Sequence, residues 1–362
     1  LVKNLEINYP KYYELKYINS IPSVSQIQNF LAKSQTYLEY FIGDSNIFSF
    51  VVNSNSYTVH QLKRDFPIDI WIEQFRSGLQ VQGNNNSTDK EKLNGLKSYA
   101  TASLKLYNKL ILPIESHLGN SIIIVPDGEL CVLPFEALLR RKYSKIDRCS
   151  SYPFLLKNKT ISYTPSGALL LEVYKNRSKT KSSLSCLAMA PSIDSIIEFQ
   201  IDPKNLITQR IGNVPLIYSK REVYRVAQLT NGKAVFGPEA TISYFSLNAD
   251  KYNIIHLSQH GGGNRNNGDD SYLLFADRKL FAREIYNIRL NAEMVVLSAC
   301  ETAYSEYQRG EGLISMSRAF IYAGSNSLFA TLWKVNDVST SELCTTFYKN
   351  LVEEYIKTLK KG

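Results

Sequence analysis

The chain has 362 residues, 44% of them hydrophobic and 21% charged, and a formal net charge of +9. Those values exclude wholesale disorder and leave room for two lobes or one large α/β unit. The longest apolar runs, such as residues 122–125 and 168–171, fall far short of the roughly 18 residues that a membrane span requires.

The five cysteines, Cys131, Cys149, Cys186, Cys300 and Cys344, are odd in number, widely spaced and without a C-x-x-C pair. That fits neither a disulfide framework nor a zinc site. The expectation is a reducing, cytoplasmic compartment and a protein that needs no metal and no cofactor. The first residues form no signal-peptide pattern and include no initiator methionine, as expected of a piece of a longer chain.

In chain order, Val24, Ile27, Phe30 and Leu31 have helical spacing, which predicts a short helix leading into strand-like sequence by residue 40. Two apolar runs around Gly43-Asp44-Ser45-Asn46 predict a hairpin. Helices are expected near residues 69–79 and 90–110, separated by the polar loop GNNNST. Residues 121–125 (SIIIV) read as a buried strand stopped by the turn signal Pro126-Asp127-Gly128. Residues 129–133 are then expected to return as a strand, with Pro134 opening a short helix. Residues 140–181 are basic and irregular, interrupted by a strand and a short helix in ISYTPSGALLLEV.

Beyond Lys181 the pattern becomes an alternation. Strands are expected at 184–190, 234–236, 253–259, 294–299 and 327–332, with a hairpin at 272–280. Helices are expected at 219–229, after Pro238, up to about 288, at 312–323 and at 338–354. Such alternation predicts a mostly parallel sheet covered on both faces, with chemistry at the carboxyl ends of its strands.

Two of those strands run out on reactive residues. NIIHLSQ is followed by His260 and Gly261-Gly262-Gly263; MVVLSA is followed by Cys300, Glu301 and Thr302. With the strands side by side, an imidazole and a thiol meet at the sheet edge, the arrangement of a cysteine hydrolase. A free thiol near pKa 8.5 is mostly protonated at neutral pH, so a neighbouring imidazole raises its thiolate fraction. His260 could then protonate the leaving amine, and the backbone N–H groups of Gly261 and Cys300 could hold the oxyanion. Either residue alone is more often structural. Their shared context gives the pair its weight.

Several blocks in order resemble the CHAT domain, the caspase-like cysteine peptidase domain often found behind tetratricopeptide repeats and similar to separase. They are IIHLSQHG (254–261), VVLSACET (295–302), GEGL (310–313), SRAFIYAG (317–324) and TLWKVND (331–337). Earlier blocks agree, among them TYLEYFIGDSNIFSFVV, IIIVPDGELCVLPFEAL, YTPSGALL and FGPEAT, so that the resemblance runs from about Ile21 to Leu351. It implies a caspase-like α/β/α sandwich with a mostly parallel sheet in residues 182–362, preceded by a non-catalytic amino-terminal α/β lobe in residues 1–181. It also implies that His260 is the catalytic histidine and Cys300 the nucleophile. His256 matches a second histidine of the family and is expected to be a satisfied core residue. Ser258-Gln259 and Gly262-Gly263 depart from the family pattern, which bears on substrate fit.

The implied activity is cleavage of a specific protein partner in a bacterial regulatory or defence pathway. The alternative is a regulated interaction module, or a latent protease held inactive until a partner binds amino-terminal repeats that this sequence lacks. Glu301 is a candidate wall of the pocket for the residue before the scissile bond, where it would favour a basic side chain, or else a loop cap. Asp337 suits a helix N-cap first and the substrate pocket second, and Trp333 either a pocket wall or the core. Cys131, Cys186 and Cys344 read as core; His60 and His117 have no partner in view.

The charge is local. Residues 140–181 hold 11 Lys and Arg against Asp147 and Glu172, which accounts for the whole +9. A solvated connection between lobes is expected there, and direct nucleic-acid binding is not.

Overall fold

The computed structural model describes residues 21–84, 87–143, 151–176, 183–191, 217–262, 270–298, 307–308, 312–313, 316–332 and 337–359. They fall into two compact units. The first takes its residues from Leu1–Asn176 and Tyr307–Leu313, the second from Arg177–Glu306 and Ile314–Gly362.

In the first unit, helix α1 (Val24–Phe30) starts at a capping box. The Ser23 hydroxyl accepts from the Gln26 N–H, and the Gln26 side chain accepts from the Ser23 N–H. Strands β1 (Gln35–Ile42) and β2 (Asn46–Asn53) form the expected hairpin, with Ile42 opposite Ile47. Strand β3 (Ser56–Lys63) pairs antiparallel with β2 and was not expected. Its side chains are exposed or half-buried throughout, so SYTVHQLK lacks the apolar run that marks a strand.

Helices α2 (Ile68–Gly83) and α3 (Asp89–Leu110) pack together so closely that a Cβ on Gly78 would lie 2.4 Å from the Gly95 carbonyl oxygen. Strand β4 (Ser121–Val125) lies parallel to β1, and β5 (Thr160–Tyr163) parallel to β4, giving the order β3-β2-β1-β4-β5. Helix α4 (Gly167–Asn176) follows. Leu38, Ile47, Phe75, Tyr99, Leu106, Ile122 and Ile124 are among the buried side chains of this core.

Residues 129–133 do not return as a strand. They form a 3-10 turn, Gly128–Val132, because Gly128 takes a φ of +56° and the Asp127 carboxylate holds the corner. One of its oxygens accepts from the Gly128 N–H at 2.9 Å and the other from the Ile42 N–H at 2.8 Å, tying the ends of β4 and β1 together. After Pro134 there is only a short 3-10 turn, Phe135–Ala137. In the basic segment, Arg140 pairs with Glu115 at 2.6 Å, and the Lys159 ammonium donates to the carbonyls of Leu118 and Gly119, both at 2.9 Å. These two charges hold their own unit together.

The second unit alternates. Its elements are β6 (Cys186–Ala190), α5 (Ile217–Leu229), β7 (Lys233–Phe236), α6 (Ile242–Asn248) and β8 (Ile254–Leu257). Next come β9 (Gly261–Gly262), β10 (Tyr272–Leu274), β11 (Lys279–Phe281), α7 (Ala282–Ile285) and β12 (Met294–Leu297). The chain then forms a hairpin, β13 (Tyr307–Gln308) with β14 (Gly312–Leu313), which belongs to the first unit. Helix α8 (Met316–Ala323), strand β15 (Leu328–Ala330) and helix α9 (Asp337–Leu359) complete it. The helix expected over 312–323 is observed over Met316–Ala323, while Gly312 and Leu313 form strand β14; glycine is a poor helix former.

The sheet order is β15-β12-β8-β6-β7, and every neighbouring pair is parallel. Both faces are covered, as a parallel sheet requires. Leu187, Ile255, Leu257 and Val295 pack on Phe245 and Phe320 on one face. Ala188, Ile254 and Val296 pack on Val223 and Val226 of α5 and Tyr348 of α9 on the other. This is the expected α/β sandwich with a parallel-rich sheet. Among the described residues, no helix is long and apolar enough to cross a membrane.

Asp127→Ala removes two charge-assisted hydrogen bonds at the β1–β4 corner, and urea denaturation should show a loss of about 2 kcal/mol.

Candidate active site

The site is built by parallel pairing. Strand β8 lies between β6 and β12, with Leu257 opposite Leu297. The ladder continues one residue further: the Ser258 N–H donates to the Met189 carbonyl and the Ser298 N–H to the Leu257 carbonyl, both at 2.9 Å. Two residues, Ser258 and Gln259, separate Leu257 from His260, and two, Ser298 and Ala299, separate Leu297 from Cys300. Cys300 itself lies outside the described residues, as do Glu301 and Trp333.

His260 is half-buried, and its carbonyl accepts from the Leu274 N–H at 2.8 Å. Beyond it, β9 pairs antiparallel with β10, with Gly261 opposite Leu273 and Gly262 opposite Tyr272. Antiparallel ladders alternate bonded and non-bonded pairs. Since His260 is bonded to Leu274, Gly261 falls in a non-bonded pair, and its N–H points away from β10. Strand β9 is the edge of its sheet. The N–H that the sequence singles out as an oxyanion donor therefore takes no part in the ladder. At Gly262 a Cβ would lie 2.9 Å from the Tyr272 ring, so the small residue there serves close packing.

Gln259, between the sheet and His260, is 2% exposed, and neither polar atom of its amide has a hydrogen-bond partner among the described residues. Asp337 is the first residue of α9; its side chain lies outside the described residues.

Beneath the edge lies a polar group whose partners the sequence did not name. His256 is fully buried, as expected, and its Nε2 is 2.8 Å from a carboxylate oxygen of Glu222 on α5, itself 1% exposed. The Tyr348 hydroxyl of α9 is 3.3 Å from Nδ1, with the two rings edge to face at 5.5 Å. An ionised carboxylate only accepts, so Nε2 carries the hydrogen and Nδ1 accepts from the tyrosine. A signal for Glu222 was present: Ser219, Glu222, Val223 and Val226 follow the helical spacing of a buried face, and all four are buried. In the first unit, the rings of His60 and His117 lie 5.5 Å apart, so each has the other as a neighbour.

Cys131, Cys186 and Cys344 are buried. Burial, reinforced by Asp127 and Glu129, pushes the Cys131 thiol up to about 12; burial and then Glu222 push Cys344 up to about 12. Burial raises Cys186 as well. None of the three suits a nucleophile. Among the described residues, no group of three or more His, Cys, Asp or Glu side chains could hold a metal ion.

Compared with known families, residues 101–359 match the CHAT domain. The chain belongs to the CHAT domain family. No curated protein matches it. Within this CHAT domain, the histidine block and the strand leading to the cysteine block lie on adjacent parallel strands, and the loop after the histidine is the edge strand β9.

Native alkylation with iodoacetamide at pH 8, resolved by peptide mass spectrometry, should modify Cys131, Cys186 and Cys344 more than about 100-fold slower than a free thiol. Denaturation should bring all three to the ordinary rate.

Proposed function

We propose that this CHAT domain is a cysteine endopeptidase that cuts a protein partner. Residues 182–362 form its catalytic lobe and residues 1–181 a non-catalytic lobe. His260 takes the proton of the Cys300 thiol, and the thiolate attacks the scissile carbonyl carbon, forming a C–S bond. The resulting oxyanion is held by the N–H groups of Gly261 and Cys300. His260 returns the proton to the leaving amine as the C–N bond breaks. Water, deprotonated by His260, then hydrolyses the thioester and restores the thiol.

The observation that carries this reading is the β8–β12 register, with equal lengths of chain from the Leu257–Leu297 pair to the imidazole and to the thiol. The off-ladder N–H of Gly261 and the unreactive environments of the three buried cysteines support it. CHAT domains are caspase-like, and the family alone suggests a regulatory or defence pathway and a partner acting through amino-terminal repeats. Glu301, Asp337 and Trp333 are the candidate pocket residues, with Glu301 favouring a basic residue before the scissile bond.

Mapping of new amino termini in a proteome treated with the wild-type protein should reveal cleavages that vanish with Cys300→Ala and with His260→Ala, at unchanged melting temperature. Persistent cleavage by Cys300→Ala overturns the proposal. With Glu301→Gln, the share of cuts after Lys and Arg should fall about tenfold.

A further inference from the structure

Strand β8 poses a register problem. It reads Ile254-Ile255-His256-Leu257, is buried on both faces, and lies between two other strands. Register is well specified where one face is apolar and the other polar, and poorly where both faces take similar side chains. Ile254 faces α5 and α9, while Ile255 and Leu257 face the opposite core. Aliphatic side chains therefore fill both faces, and a slip by one residue would exchange one aliphatic set for another. His256 is the only residue of the strand that distinguishes the two.

We propose that Glu222 and His256 form a register lock, and that both are positioning residues for His260. The proposal rests on the His260–Cys300 dyad proposed above. Glu222 is anchored in α5 on one side of the sheet, with one carboxylate oxygen on His256 and the other without a hydrogen-bond partner among the described residues. Tyr348 of α9 closes on the far nitrogen of the ring. Moving β8 by one residue in either direction would set Ile255 or Leu257 against that buried carboxylate and take away its hydrogen bond to the imidazole. A buried charge deprived of its partner is strongly unfavourable, so the slipped strand is excluded. Four residues beyond His256 the chain reaches His260, with its height along the sheet set by that lock and by the Ser258 and His260 backbone bonds. The groups facing His256 are Glu222, Tyr348 and the thiols of Cys186 and Cys344, both kept neutral by burial.

The lock makes a prediction that mere stabilisation does not. When both partners of a buried hydrogen bond are replaced by well-packed apolar residues, stability is often unchanged. The double variant Glu222→Leu/His256→Leu should therefore melt no lower than wild type yet lose alignment of His260. The readout is the rate of Cys300 alkylation by iodoacetamide against pH, resolved by peptide mass spectrometry, in the full 362-residue chain. Wild type should show a reactive thiolate at neutral pH. The double variant should follow an ordinary thiol titrating near 8.5, with about a tenfold or greater loss of rate at pH 7. Glu222→Gln keeps a hydrogen-bond acceptor for the ring and should retain the wild-type profile.

A folded double variant with the wild-type profile overturns the proposal, and so does a double variant that no longer folds, which would make the pair a stability element. His260→Ala is the separate control. If it leaves the Cys300 profile unchanged, the dyad reading itself falls, and with it the lock; if it shifts the profile while the double variant does not, only the lock falls.

Discussion

Everything at the candidate site depends on the parallel pairing of β8 with β12. Antiparallel neighbours deliver their carboxyl ends to opposite edges of a sheet, whereas parallel neighbours deliver both to the same edge. Here that geometry brings the carboxyl ends of β8 and β12, at Leu257 and Leu297, to one edge. Parallel pairing also demands crossover connections and two covered faces. The apolar layers around Phe245 and Phe320 on one side, and Val223 and Tyr348 on the other, are the structural condition for that edge to exist.

The same burial makes polar side chains near the edge consequential. In an apolar layer the Glu222–His256–Tyr348 group imposes direction as well as distance, because each hydrogen bond is satisfied in only one arrangement. Gln259 presents the opposite case. Its amide is buried beside His260 without a partner among the described residues, which sets this position apart from the hydrogen-bonded polar group beneath it.

Legibility followed chemistry. The strands at Ile122, Ile255 and Val295 were readable because β-branched and aliphatic runs this short suit buried strands, and the Gly43-Asp44-Ser45-Asn46 corner because its residues suit a turn. Strand β3 escaped because an outer strand with half-exposed side chains has no apolar run to detect. Residues 129–133 misled for a different reason: Leu130 and Cys131 are buried, but in a 3-10 turn dictated by the φ of Gly128 and the hydrogen bonds of Asp127. At the site, His260 and Gly261 were singled out by their place after an apolar strand. Glu222 was passed over because it belongs to a helix remote in sequence, and only the fold reveals that its buried face meets His256. The family blocks spoke for the dyad and for His256; they were silent on Glu222 and Tyr348, which His256 meets.

The hairpin of β13 and β14 has a consequence for the order in which the protein is made. The first unit is left by the chain after Asn176 and regains it only at Tyr307–Leu313. A ribosome releases sequence from the amino terminus onward, and domains generally fold as they emerge. This unit cannot be finished when residue 176 appears, since its last piece is encoded beyond β12. The parallel sheet of the second unit is also incomplete until β15, just downstream of the hairpin. The nascent chain therefore carries two unfinished units until residues 307–330 emerge, and both close within that stretch of sequence. Native structure and any thiol chemistry at the sheet edge arise together, once that stretch has emerged.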